Sequence, residues 1–381
     1  MSKIIIAPDS FKESMSAKEA AEAIREGFLE VGKEHKYDLI PMGDGGEGTM
    51  EALTANFDGK QQTVRVEGPN AHPVEATYAL SADGQIAIMD MAQASGLDHV
   101  SEDARKVGEA STYGTGEMIK AALDQGAQKI ILGIGGSATN DGGAGMIEAL
   151  GARLLNDQGE AIARGGLGLE ALSAINVVDL DPRLKMTEIV VACDVTNPLL
   201  GERGATAIYG PQKGADESMV KRLDDALAHF HELSVEATGK DVKDTAGAGA
   251  AGGLGAGLLA YLDAELKPGI DLVLEETDFR RRAQGADVVI TGEGKIDGQS
   301  VYGKTPVGVA KAAKENDTFV IAICGQLGDE YERVHEHGID AAFTLVPGAI
   351  DVKDAMENGA AYLTQVARNI AKVMWHDEAR P

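Results

Sequence analysis

The chain has 381 residues, 35 Lys plus Arg against 61 Asp plus Glu for a net charge of −26, and 44% hydrophobic residues. That length predicts two domains, and the near-average hydrophobic content excludes wholesale disorder. The charge makes nucleic acid and anionic membrane poor partners, so an anionic substrate would need local cations, backbone N–H groups or a metal.

The apolar run Ile4 to Ala7, the helical spacing of Ala20, Ala23, Ile24, Gly27, Phe28 and Val31, and the run Tyr37 to Met42 predict strand, helix and strand. This is the opening of a parallel sheet. The first run ends at Pro8 and Asp9, too short for a secretory signal, and Cys193 and Cys324, each in an apolar run, read as buried core thiols. A cytoplasmic protein is expected. Thr49 to Asn56 predicts a helix, and Thr63 to Val66, Val74 to Leu80 and Gln85 to Met89 predict short strands joined by hairpin signals, so the architecture should change near residue 60.

Helices are then expected over Gly116 to Gln125, Met146 to Leu150 and Ser218 to Ala237, with strands over Lys129 to Leu132 and Ile189 to Cys193. Thr245 to Leu262 carries no charge, but six of its residues are Gly. It reads as a glycine-rich turn feeding a helix rather than a membrane span. Ala286 to Thr291, Phe319 to Cys324 and Ala342 to Val346 read as buried strands, interleaved with helices around Val307 to Lys314 and Asp354 to Met374. The expected fold is α/β, with an open parallel domain from residues 1–60 and 285–381 and a mixed α/β domain, 61–284, inserted between.

Glycine motifs are common in a chain with 48 glycines, and GxGxxG is expected by chance about once. It occurs at Gly43 to Gly48 and at Gly247 to Gly252, and only the first follows an expected strand and precedes a helix. Gly133 to Ala138 fits the looser GxGxxA, so a nicotinamide-dependent hydroxy-acid dehydrogenase stays as an alternative. Gly298 to Thr305 satisfies GxxxxGK[ST]. The preceding strand is expected to end at Thr291, and no later strand ends in Asp, so a classical P-loop is rejected while a phosphate contact by Lys304 or Thr305 stays open. There is no GxSxG, and His229 with His231 and His335 with His337 are spaced to opposite helix faces, which disfavours zinc.

A subtler habit recurs. Asp9, Asp44, Asp194, and Glu293 with Asp297, each follow an apolar strand, and Asn140 and Asp141 come shortly after another. One such acid would be a cap or turn residue. Five strand ends together match the place where open α/β sheets bind ligands. With glycine loops and Lys12, Lys295 and Lys304, they make up the parts of Mg-dependent phosphoryl transfer.

Taken in order, APDSFK (Ala7 to Lys12), GDGGEGT (Gly43 to Thr49), GGSATNDGG (Gly135 to Gly143), ACDVTNPL (Ala192 to Leu199), GAGAAGGLG (Gly247 to Gly255), TGEGKIDGQS (Thr291 to Ser300) and GKTPVGVA (Gly303 to Ala310) resemble the bacterial class I glycerate kinases. The resemblance implies ATP-dependent phosphorylation of D-glycerate, on a flavodoxin-like domain plus a second α/β domain without a P-loop. The site is then expected in a cleft between the domains. Lys12, with Ser10 beside it and Asn197, is expected to hold glycerate. Gly135, Gly136, Ser137, Thr139, Asn140, the tract glycines Gly249, Gly252 and Gly253, and Lys304 are expected at ATP. Asp44 and Glu47, or Glu293 and Asp297, are expected at Mg²⁺. Asp194 is the first candidate base for the glycerate hydroxyl and Asp9 the second, and the 2-hydroxyl is favoured over the 3-hydroxyl. A non-catalytic small-anion sensor is the alternative outside enzymes, and a homodimer is compatible with the sequence but not derivable from it.

Overall fold

The computed structural model describes residues 1–375 and divides the chain into two compact units, Met1–Phe57 with Pro268–Pro381, and Asp58–Lys267. The second crossing falls at Lys267, earlier than the expected residue 285. The reason is a helix, Gly269–Glu276, whose Ile270, Leu272, Val273 and Leu274 are buried where it packs on the helices Thr49–Asn56 and Thr305–Lys314.

The first unit is an open sheet of five parallel strands. In spatial order they are Lys36–Leu39, Lys3–Pro8, Val288–Ile296, Phe319–Leu327 and Ala341–Thr344. Numbered within the unit this is the order 2-1-3-4-5 of flavodoxin-like folds, whose ligands sit where the strand order reverses, here beside Lys3–Pro8. Ile4, Ile6, Val288, Ile290, Ile321 and Ile323 share one core with the helices Ala17–Leu29 and Gly359–Met374. Residues of the other parity, Ile5, Val289 and Val320, are also fully buried, as expected for a parallel sheet covered on both faces. Ser16 starts Ala17–Leu29 with a capping box closed by Glu19.

Val288–Ile296 runs five residues past its expected end at Thr291, because its pairing with Phe319–Leu327 continues to Ile296 opposite Leu327. Gly298 therefore follows a strand almost directly. That removes one ground for rejecting a P-loop, and the site chemistry below supplies a better one.

The second unit carries a six-stranded mixed sheet. Glu265–Lys267, Glu188–Ala192, Lys129–Gly133 and Ile86–Asp90 are parallel neighbours, and Pro73–Leu80 and Lys60–Glu67 extend the sheet antiparallel. The four parallel strands end in register, with Asp90 opposite Gly133, Gly133 opposite Ala192 and Ala192 opposite Lys267. The long helix Glu217–Thr238, capped by Asp216, and the helix Ala250–Leu262 pack together beside this core. Among the described residues no helix is long and apolar enough to cross a membrane.

Candidate active site

In the first unit the strand-end acids draw together. The chain leaving Lys3–Pro8 puts Asp9 in the protein interior, where Oδ2 accepts from Thr305 Oγ1 at 2.5 Å and Oδ1 from the Ser10 N–H at 2.6 Å. Burial pushes its carboxyl up to about 6, against the Thr305 hydrogen bond, and the negative charge of Asp44 adds to the rise. Glu293, on the neighbouring strand, is also buried. Its Oε1 accepts from Ser300 Oγ at 2.9 Å and its Oε2 lies 3.5 Å from Lys304 Nζ. Burial pushes Glu293 up to about 7; Lys304 opposes the shift and Asp9 reinforces it.

These contacts explain the GxxxxGKT stretch. Its Ser300, Lys304 and Thr305 each hold a strand-end carboxylate, and Thr305 opens the helix Thr305–Lys314 with its hydroxyl already engaged. The loop is built around two acids, and Lys304 Nζ is paired with Glu293.

The other first-unit candidates divide. Asp44 is half-buried, with Oδ1 accepting from the Gly46 N–H at 3.1 Å. Glu47 is exposed, and Asp297 is held by Lys295 at 2.9 Å and caps the Gln299 N–H. Among the described residues no three carboxylate, His or Cys side chains form a ready metal cage. The electrostatic neighbours are Asp44 to Asp9 and Asp9 to Glu293, a like-charged row whose mutual repulsion suits a divalent cation with oxygen ligands. Lys12 is exposed in the turn after Phe11 and makes no ion pair among the described residues, so its charge is available to an anion.

In the second unit the loop after Lys129–Gly133 leaves Gly135 and Gly136 exposed. A side chain at Gly135 would meet open space, and the N–H groups of both glycines donate to no acceptor among the described residues. Successive free N–H groups with one residue at positive φ, here Gly136 at +68°, form an anion-binding concavity. Below them Ser137, Thr139, Asn140 and Asp141 are buried. Asp141 accepts from Thr112 through its N–H at 2.8 Å and its hydroxyl at 2.9 Å, and from the Gly143 and Gly145 N–H groups at 3.2 Å each. It organises the loop from inside.

The tract glycines, Asn197 and Cys193 stand in surroundings that the sequence does not show. Gly249, Gly252 and Gly253 are buried in close packing: a Cβ on Gly252 would lie 2.0 Å from the Thr139 carbonyl oxygen, and one on Gly249 2.2 Å from that of Pro198. Asn197 is a latch for its own loop, because its Nδ2 donates to the Arg203 carbonyl at 2.8 Å and its Oδ1 accepts from Tyr209 Oη at 2.7 Å. Cys193 is only half-buried; it stands beside the exposed Asp194, and burial still pushes its thiol up, as it pushes the fully buried Cys324 to about 12.

Two residues escaped the sequence reading. Asp90 ends Ile86–Asp90 at the same carboxyl edge, with Oδ1 accepting from the Ala92 N–H at 3.1 Å, and burial pushes it up as it does Asp9. Its signal in the sequence is an acid after the apolar run Ile86 to Met89, within the stretch of hairpin signals. Lys213, in the turn Gly210 to Gly214, carries no motif, yet it is 2% exposed and donates to Ser137 Oγ and to the Thr139 carbonyl, both at 2.7 Å.

Comparison with known proteins adds to this geometry. The sequence model of the Glycerate kinase family matches residues 4–375. A protein of Halalkalibacterium halodurans named "Glycerate kinase" is 55% identical over 373 residues, 98% of each chain. The Escherichia coli K12 protein named "Glycerate 2-kinase" is 48% identical over 372 residues, again 98% of each. A crystal structure from Salmonella typhimurium LT2, described as a candidate glycerate kinase 2, superposes with a TM-score of 0.92 at 47% identity and covers 100% of both chains.

Proposed function

Since the chain belongs to the glycerate kinase family, we propose that it transfers the γ-phosphoryl group of ATP to the 2-hydroxyl of D-glycerate with the help of Mg²⁺. The observation that carries this reading is the buried pair Asp9 and Glu293, raised to about 6 and about 7 at the carboxyl edge of a parallel sheet whose neighbouring loop offers an unpaired Lys12. The name of the Escherichia coli relative supports the 2-hydroxyl. The dehydrogenase and sensor alternatives give way to membership of a kinase family.

In the proposed transfer the glycerate oxygen bonds to the γ-phosphorus while the bond from that phosphorus to the β–γ bridging oxygen breaks, and ADP leaves with the electron pair. Lys12 holds the glycerate carboxylate, with Ser10 beside it. Asp9 takes the hydroxyl proton; it is preferred to Asp194 because a base poised near neutrality accepts a proton in the transition state more readily than an exposed carboxylate. Gly135, Gly136 and Ser137 bind the phosphates of ATP through backbone N–H groups, which add no side-chain bulk. Asp44 and Glu293 would be the oxygen donors for Mg²⁺, which when bound would neutralise charge on the phosphates.

Steady-state ADP formation tests the reading. It should require D-glycerate, stop in EDTA, return with Mg²⁺, and proceed without NAD(P). Lys12→Met should lower kcat/KM for glycerate by about tenfold to a few hundredfold, the worth of a charge-assisted hydrogen bond, with little change in the KM for ATP. Undiminished turnover in metal-free buffer contradicts the metal assignment, and unchanged kinetics in Lys12→Met return that residue to the solvated surface.

A further inference from the structure

Among the described residues Lys213 is the largest fully buried charged side chain, and none of their carboxylates hydrogen-bonds to it. An ammonium has three donors. Two are engaged, with Ser137 Oγ and the Thr139 carbonyl, and both acceptors lie in the loop that continues from the exposed Gly135 and Gly136. On the same loop two further buried atoms, Thr139 Oγ1 and Asn140 Oδ1, have no hydrogen-bond partner among the described residues. Burying a lysine against neutral acceptors is unfavourable unless something else gains from its charge. Its burial pushes it down to about 7, and the nearby carboxylate of Asp141 opposes the shift. In a chain of net charge −26, a buried amine that a bound anion would draw into its charged form is what an anion-binding loop lacks elsewhere.

We propose that Lys213 is the positioning residue of the nucleotide loop: through Ser137 and Thr139 it fixes the conformation that presents the Gly135 and Gly136 N–H groups, and its charge raises the potential felt by the phosphates of ATP. This rests on the reading that those phosphates bind at Gly135 to Ser137, and the experiment keeps the two apart. ADP affinity is measured by calorimetry, with KM values for ATP and glycerate, for wild type, Lys213→Met, Ser137→Ala and Gly135→Val. A Cβ at Gly135 would meet open space in the free protein and φ there is not positive, so Gly135→Val is expected to keep the fold, checked by its melting temperature, and to act on a ligand.

Lys213→Met is expected to weaken ADP binding and raise the KM for ATP by about tenfold to a hundredfold, with the KM for glycerate within a factor of about two. Ser137→Ala should move the same quantities in the same direction by less. A purely structural lysine would lower the melting temperature and the folded fraction while leaving ADP affinity per folded molecule unchanged. That result overturns the proposal if Gly135→Val still weakens ADP binding. If Gly135→Val binds ADP like wild type, the loop itself is not the nucleotide site and both readings fall. Should Lys213→Met not fold, unchanged ADP affinity in Ser137→Ala overturns the proposal on its own.

Discussion

Asp9 is held in two ways that pull against each other, and the conflict is measurable. Hydrogen bonds from Thr305 and Ser10 favour its ionised form, but burial and the charge of Asp44 prevail and leave it near 6. A carboxyl raised above its unfolded value of 3.8 binds more protons folded than unfolded, so its stabilising contribution is full below about pH 4 and is lost as the pH rises through about 6. Asp9→Asn removes that dependence. Melted in EDTA, it should gain on wild type between pH 4 and pH 8 by roughly 2 to 3 kcal/mol, the lost hydrogen-bond acceptor being an offset that does not change with pH. The same variant should lose about a hundredfold or more in kcat if Asp9 is the base. A stability difference that does not change with pH contradicts the electrostatic reading, and unchanged kcat moves the base to Asp194. The acid itself was legible as a residue after an apolar strand. Its partner Thr305, 296 positions away, was not. Only the parallel pairing of Lys3–Pro8 with Val288–Ile296 brings the two together.

The elements were legible where their periodicity is local. Strands of uninterrupted β-branched and aliphatic residues and the capped helix Ala17–Leu29 follow from spacing and from Ser16 and Glu19. The sequence misled where glycine serves packing. Gly292 and Gly294 suggest that a strand has ended, yet the ladder continues through them because Ile323 backbone approaches Gly292 closely. The tract from Gly247 suggests an open phosphate loop, yet at Ala251, Gly252 and Gly253 the chain turns left-handed to set Ala250–Leu262 against the Thr139 to Gly143 loop, with the Gly142 N–H donating to the Gly252 carbonyl at 3.1 Å. Gly252→Ala must therefore accept both a φ of +67° and a contact of 2.0 Å with the Thr139 carbonyl. Urea unfolding should show a loss of roughly 3 kcal/mol or more. A loss below about 1 kcal/mol would mean that the loop yields freely, and the tract would again be open to a ligand role.

At the scale of the whole molecule, charge and sheet edge account for function together. The net charge of −26 opposes any anionic ligand, and in the proposed function few groups answer it: Lys12 on the first unit, which makes no ion pair among the described residues, and the Gly135 and Gly136 N–H groups on the second, whose loop is held by the buried Lys213. Carboxylates such as Asp9, Glu293, Asp90 and Asp194 line the carboxyl edges of both sheets, where this class of fold binds ligands. The acidic habit of those edges could be read from sequence because strand ends are marked by composition. Lys213 could not, because its role depends on burial by residues distant in the chain. Phosphoryl transfer to one hydroxyl of glycerate is read out by phosphorus NMR of a reaction containing ATP, Mg²⁺ and D-glycerate. The account predicts a new phosphomonoester signal growing with ADP and split into a doublet by the single hydrogen on C2; a triplet from the two hydrogens on C3, or no new phosphomonoester at all, would contradict it.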